Sequence, residues 1–123
     1  MSGTVVITLV ELERIIAAAF VASSTSEANA RSVAAALTQA EVDGQKGHGL
    51  SRVPSYAAQA RSGKVDGHAV PDAQQTRPGS LLIDARHGFA YPALDAAITR
   101  LPELARACGI AAAGITRSHH FGV

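Results

Sequence analysis

LLIDARHGFAYPALDAAITRLPELARACGIAAAGIT, the stretch Leu81–Thr116, decides the fold class. Leu81-Leu82-Ile83 is a short apolar run closed by Asp84 and reads as a buried strand. Tyr91 to Cys108 then has a helical pattern. Pro92 suits its first turn, where a missing N–H costs nothing, and Pro102 must kink or interrupt its interior. Gly109 stops the helix, and Ile110 to Thr116 is a second apolar strand. Strand, helix, strand is the order typical of α/β folds.

Toward the N-terminus, residues 64–79 carry Gly67, Pro71, Gln74, Gln75, Pro78 and Gly79 with little periodicity, and read as an irregular connection. Leu50 to Arg61 is helical in pattern, with Pro54 tolerated best in a first turn and Gly63 as a natural stop. Two further helices precede it. Thr8-Leu9-Val10-Glu11 and Ser24-Thr25-Ser26-Glu27 both have the form in which a hydroxyl and a carboxylate each satisfy a free N–H at a helix start. The first helix runs to about Ala22 with Leu9, Leu12, Ile15, Ile16, Ala19 and Phe20 on one apolar stripe. The second reaches Val42 with Val33, Ala34, Leu37 and Ala40 or Glu41 on one face. Asp43-Gly44 ends it, and the three glycines of Gly44-Gln45-Lys46-Gly47-His48-Gly49 predict a tight turn that exposes backbone.

The 123 residues suffice for one modest domain with a packed core. Hydrophobic residues make up 47% but aromatics only 4%, so the core is chiefly Ala, Val, Leu and Ile, which lets helices approach closely. Phe89 and Tyr91 are expected to anchor it, Cys108 to be a buried small residue, Asp84 to form a turn, and His68 and His87 to lie on the surface. Eleven basic and ten acidic side chains leave a formal charge of +1 with no Lys/Arg stripe, which argues against nucleic acid. No apolar run reaches membrane-spanning length, the start has no secretory pattern, and a single cysteine excludes an intrachain disulfide. A soluble, cytoplasmic protein without a membrane partner is expected.

His48, Arg52 and Tyr56 succeed one another every four residues, so on a continuous helix they form a ladder along one face. An imidazole, a guanidinium and a phenol together suit a small anionic substrate. Arg clamps a carboxylate through two parallel hydrogen bonds, and His exchanges a proton near neutral pH. The same residues also fit a blander reading, a solvated helix face beside a histidine in a turn. His119-His120, after the second strand, can serve as metal ligands, a proton shuttle or a cofactor contact. Neither C-x-x-C nor H-E-x-x-H spacing occurs, and no metal site is expected.

The stretch Ala40-Glu41-Val42-Asp43-Gly44-Gln45-Lys46-Gly47-His48-Gly49-Leu50-Ser51-Arg52-Val53-Pro54-Ser55-Tyr56 resembles the A-D-x-x-G-x-x-S-H-G-x-x-R-x-P-x-Y signature of the type-2 malate/L-lactate dehydrogenase family. Arg117-Ser118-His119-His120-Phe121-Gly122 resembles that family's second signature, N-S-x-H-F-G, which follows a strand as it does here. The resemblance covers nearly all of this chain but only the front part of the family's length. It implies an N-terminal helical, substrate-side segment, residues 1–79, followed by the start of a non-Rossmann dinucleotide-binding α/β domain, residues 80–123. It also implies hydride transfer between NAD or NADP and the carbon next to a carboxylate, in small 2-oxo acids or cyclic 2-imino acids.

In this reading His48 is the general acid/base, with His120 as a second candidate. Arg52 holds the substrate carboxylate, Tyr56 lines the pocket, and His120, Phe121, Gly122 and Val123 border the cofactor. The complete enzyme is expected to be a homodimer, and the 123 residues alone, ending where a ligand loop begins, to be inactive. A non-catalytic, truncated helical interaction module is the alternative. Gly47 departs from the family's usual serine, which puts a Ser–His proton relay in doubt.

Overall fold

The computed structural model describes residues 3–122. Helix α1, Leu9–Val21, begins where the Thr8 hydroxyl accepts the Glu11 N–H at 3.1 Å. The Glu11 carboxylate does not return to the cap, because it accepts a hydrogen bond from Arg14 Nε one turn on, at 3.0 Å. Ile16 and Phe20 are buried, while Leu9 and Ile15 are exposed. The stripe is therefore narrower than its pattern, since α1 packs chiefly against α2, Glu27–Val42, and α3, Val53–Ser62.

Ser26, not Ser24, caps α2, accepting the Asn29 N–H at 3.2 Å. Its own N–H donates to the Gly67 carbonyl at 3.0 Å, which sets the helix start two residues later and leaves Ser24 in the turn at φ 56°. Ala30, Val33, Ala34 and Leu37 make α2 the centre of the first core cluster. The Asn29 amide donates to the Gly67 and Ala69 carbonyls at 2.9 and 2.8 Å, fastening the chain after α3 onto α2. Gly67 seats there because a Cβ would come within 2.3 Å of the Ser24 carbonyl oxygen.

The connection expected over residues 64–79 contains a strand, β1, Asp72–Arg77. It pairs antiparallel with β2, Ser80–Asp84, across the Pro78-Gly79 turn. Its polar sequence shows no alternation because it is an edge strand, held by main-chain bonds rather than by burying side chains. Helix α4, Ala90–Cys108, leads from β2 to β3, Ala112–Thr116, which lies parallel to β2 with Ile83 opposite Ile115. The mixed sheet has the order β1-β2-β3. Leu81, Ile83, Ala93, Ala97 and Leu104 form the second core cluster. Phe89 and Tyr91, just before and at the start of α4, are buried in the first. Cys108 is exposed rather than buried, in a last helical turn where Arg106 and Ala107 also face solvent.

The ends of the two parallel strands are tied together. Arg117 Nε donates to Asp84 Oδ1 at 3.0 Å, and the Arg86 N–H donates to the same oxygen at 2.9 Å. The Arg117 guanidinium, then the Arg86 N–H, hold the Asp84 carboxyl down at about 2. Asp84 thus forms a turn, as expected, and also an ion pair.

Two outcomes follow from these ties. Asn29→Ala leaves the Ala69 carbonyl without its side-chain donor, while the Gly67 carbonyl keeps only the Ser26 N–H, and should cost about 2 kcal/mol, read from urea unfolding with an unchanged m-value. For Asp84, a folded pKa below its ordinary value of 3.8 means stabilisation that is complete above pH ~4 and lost as pH falls toward about 2. The Tm gap between wild type and Asp84→Asn should be constant from neutral pH to about 4 and close below it.

Candidate active site

After α2 the chain reverses at Gly44, φ 77°, into two short 3-10 turns, Lys46–His48 and Leu50–Arg52. Glu41, in the last turn of α2, holds this loop from one side. Its Oε1 accepts the Leu50 N–H at 2.8 Å, and a Cβ on Gly49 would lie 2.4 Å from that oxygen. Arg52 closes the loop from the other side, donating from Nε to the Gly47 carbonyl at 2.7 Å. The continuous ladder of His48, Arg52 and Tyr56 is not formed, because the chain leaves helical conformation at Gly49. Only Arg52 and Tyr56, at the cap and in the interior of α3, stand one turn apart. A Cβ on Gly47 would meet nothing within 4 Å, so packing does not require glycine where the signature has serine.

Tyr56 is 2% exposed beneath the two histidines that follow β3. Its ring centroid lies 4.9 Å from that of His119 and 5.5 Å from that of His120, which stack on each other at 4.3 Å. His119 is held through its backbone and one ring nitrogen. Its backbone N–H donates to the Gly88 carbonyl at 3.0 Å, and its Nε2 lies 2.9 Å from Gln59 Oε1. Burial, then the charges of His120 and Lys64, hold the His119 imidazole down at about 4. It is therefore uncharged at neutral pH, and with Gln59 Oε1 as acceptor its proton sits on Nε2. Such a ring supports its neighbours rather than exchanging protons. His120 is exposed, so it is the member of the pair that can meet a ligand.

Two residues further on, the backbone of Gly122 passes directly over His48. A Cβ there would lie 2.1 Å from Nδ1 and 2.4 Å from Cε1, so any side chain would displace the imidazole. Tyr91, 4% exposed, closes the floor from α4. It packs in the same core cluster as Tyr56. Burial, then Tyr56, push this phenol up to about 12, so it keeps its proton throughout the physiological range.

His48, Arg52, Tyr56, His120 and Gly122 thus come together from separate stretches of chain. Phe121 continues the same segment and is half exposed, and Val123 lies outside the described residues. Glu41, Gln59 and Tyr91 also belong here, and pattern does not reveal them. Glu41 stands inside the first signature, but its part depends on the close approach of Gly49. Tyr91 reads as any core aromatic. His68 and His87 are exposed, and among the described residues no group of three His, Cys, Asp or Glu can hold a metal ion.

The terminal nitrogens of Arg52 have no protein acceptor among the described residues, which leaves a fork suited to a carboxylate. No helix among the described residues is long and apolar enough to cross a membrane.

The family model described as malate/L-lactate dehydrogenase matches residues 7–123. The chain is 46% identical over 120 residues to the (2R)-3-sulfolactate dehydrogenase (NADP(+)) of Chromohalobacter salexigens, covering 95% of this chain and 35% of that protein. It is 41% identical over 120 residues to the Delta(1)-pyrroline-2-carboxylate/Delta(1)-piperideine-2-carboxylate reductase of Pseudomonas putida, covering 98% and 35%. The crystal structure of the delta1-piperideine-2-carboxylate reductase of Pseudomonas syringae superposes with a TM-score of 0.93 at 37% identity, over 97% of this chain and 36% of that one. The chain spans about a third of the length of these relatives. On sequence over nearly its whole length, and on fold, the chain belongs to the malate/L-lactate dehydrogenase family.

Proposed function

We propose that this protein is an NAD(P)-dependent oxidoreductase that reduces a small 2-oxo acid or cyclic 2-imino acid. In this reading residues 1–79 form its substrate side and residues 80–123 begin its cofactor-binding part. One observation carries the reading: a guanidinium anchored through Nε, its fork without a protein acceptor among the described residues, stands in the same cluster as an imidazole whose Nδ1 edge is closed by Gly122. Arg52 binds the substrate carboxylate. His48, acting through Nε2, protonates the 2-oxo oxygen or 2-imino nitrogen as that atom takes up the electron pair released on reduction of the adjacent carbon.

Tyr56 and Tyr91 wall the site against water. The residues present fit one edge of a nicotinamide cofactor. The segment through Gly122 lies beyond the end of a parallel strand, where α/β sheets receive dinucleotides. His120, Phe121 and Gly122 would hold it, and when bound it supplies or takes the hydride. The family resemblance extends the proposal to a cytoplasmic homodimer.

In the intact protein, His48→Ala should lower kcat by about a hundred- to ten-thousand-fold with cofactor affinity nearly unchanged, as for loss of a positioned general acid. A near wild-type kcat would move the role to His120. Arg52→Lys keeps the charge but not the fork, and KM for the acid should rise roughly ten- to a hundred-fold. An amide analogue of the substrate should lose little by the same change, and equal losses for acid and amide would make Arg52 structural.

A further inference from the structure

His119 and His120 rest on α3 through two of its side chains. Tyr56 meets both rings edge-on, and Gln59, three residues further along the same helix face, brings Oε1 to 2.9 Å from His119 Nε2. The other ring nitrogen of His119, Nδ1, is buried and has no hydrogen-bond partner among the described residues. A proton on Nδ1 would be stranded there, and a buried N–H without an acceptor is tolerated less well than a lone pair without a donor. The neutral ring therefore carries its proton on Nε2, and among the described residues the Gln59 side-chain carbonyl is the one group that holds that ring by a hydrogen bond.

His119 stands at right angles to Phe89, with centroids 5.7 Å apart, and stacks on His120 at 4.3 Å with 27° between the planes. No side-chain hydrogen bond among the described residues reaches the exposed His120 ring, so its pose comes from His119 and Tyr56. Gln59 is itself well seated. It is half-buried in α3, and its main-chain carbonyl accepts the Val65 N–H and the Ser62 hydroxyl, each at 3.1 Å.

We infer that Gln59 is a positioning residue: its side-chain carbonyl fixes the tautomer and orientation of His119, and through the stacked pair it sets the ring plane that His120 offers to the cofactor. The cofactor's part in this rests on the oxidoreductase reading above. Gln59→Leu removes the acceptor and keeps a side chain of similar size. Gln59→Glu keeps an acceptor oxygen at the same reach.

Long-range proton–nitrogen NMR of the intact protein, with labelled histidines at neutral pH, should show wild-type His119 protonated on Nε2 and bare on Nδ1. In Gln59→Leu the two nitrogens should average between the two states and the His120 signals should move. The Kd of NADH or NADPH, whichever wild type binds more tightly, should rise about five- to tenfold in that variant, the ordinary weight of one neutral hydrogen bond. Gln59→Glu should return the Nε2–H signal and bring Kd back to within about twofold of wild type, which a side chain that only fills space would not do.

A wild-type His119 protonated on Nδ1 overturns the inference without any variant. So does a folded Gln59→Leu protein whose cofactor Kd stays within about twofold of wild type, or an equal loss of affinity in both variants, which would make Gln59 a packing residue. A wild type that binds neither cofactor removes the oxidoreductase reading instead. The His120 signals then decide, and signals unmoved by Gln59→Leu overturn the part given to Gln59.

Discussion

Tyr56 is withdrawn from solvent by groups from two other parts of the chain: Phe89 and Tyr91 at the start of α4, and His119 and His120 after β3. Phe20 of α1 meets Phe89 edge-to-face at 5.6 Å and carries the same packing back to the first helix. Burying such rings is worth more than any polar contact in the molecule. The hydrophobic packing that docks the helices is therefore also what sets the histidines, and site geometry and core stability share one origin.

Around that ring the charges are kept few. Two stacked imidazoles at 4.3 Å would repel each other if both were protonated, and burial keeps His119 neutral with its Nε2–H engaged by Gln59. Tyr91 stays protonated for a related reason, because a phenolate would be costly in so enclosed a place. Arg52 is left as a fixed cation among largely uncharged rings, and a low-dielectric setting strengthens its hold on an anion relative to water. Two glycines make the arrangement possible, Gly49 by admitting the Glu41 carboxylate and Gly122 by letting the main chain lie on His48.

Much of this was legible along the chain because it is local. Helix caps, proline positions and apolar spacing act within one or two turns, and the strand, helix, strand order of residues 81–116 appears as read, with β3 starting two residues later at Ala112. The signature stretch around His48 and the one ending at Gly122 likewise lie within short windows. β1 was not legible, since Asp-Ala-Gln-Gln-Thr-Arg becomes a strand by pairing with β2 and not through its own composition. The cap at Ser26 instead of Ser24 has a similar cause, the distant carbonyl of Gly67.

Residue types and their short-range order thus sufficed to say that the chain is α/β, which helices it has, and which side chains can bind an anion and move a proton. They could not say that Gly122 would rest on His48, that Arg52 would turn back to Gly47, or that His119 and His120 would pack on Tyr56. Those contacts arise when whole elements dock over a shared core. Burial rewards the total apolar area withdrawn from water and is indifferent to which distant residues meet, so no local pattern encodes the meeting.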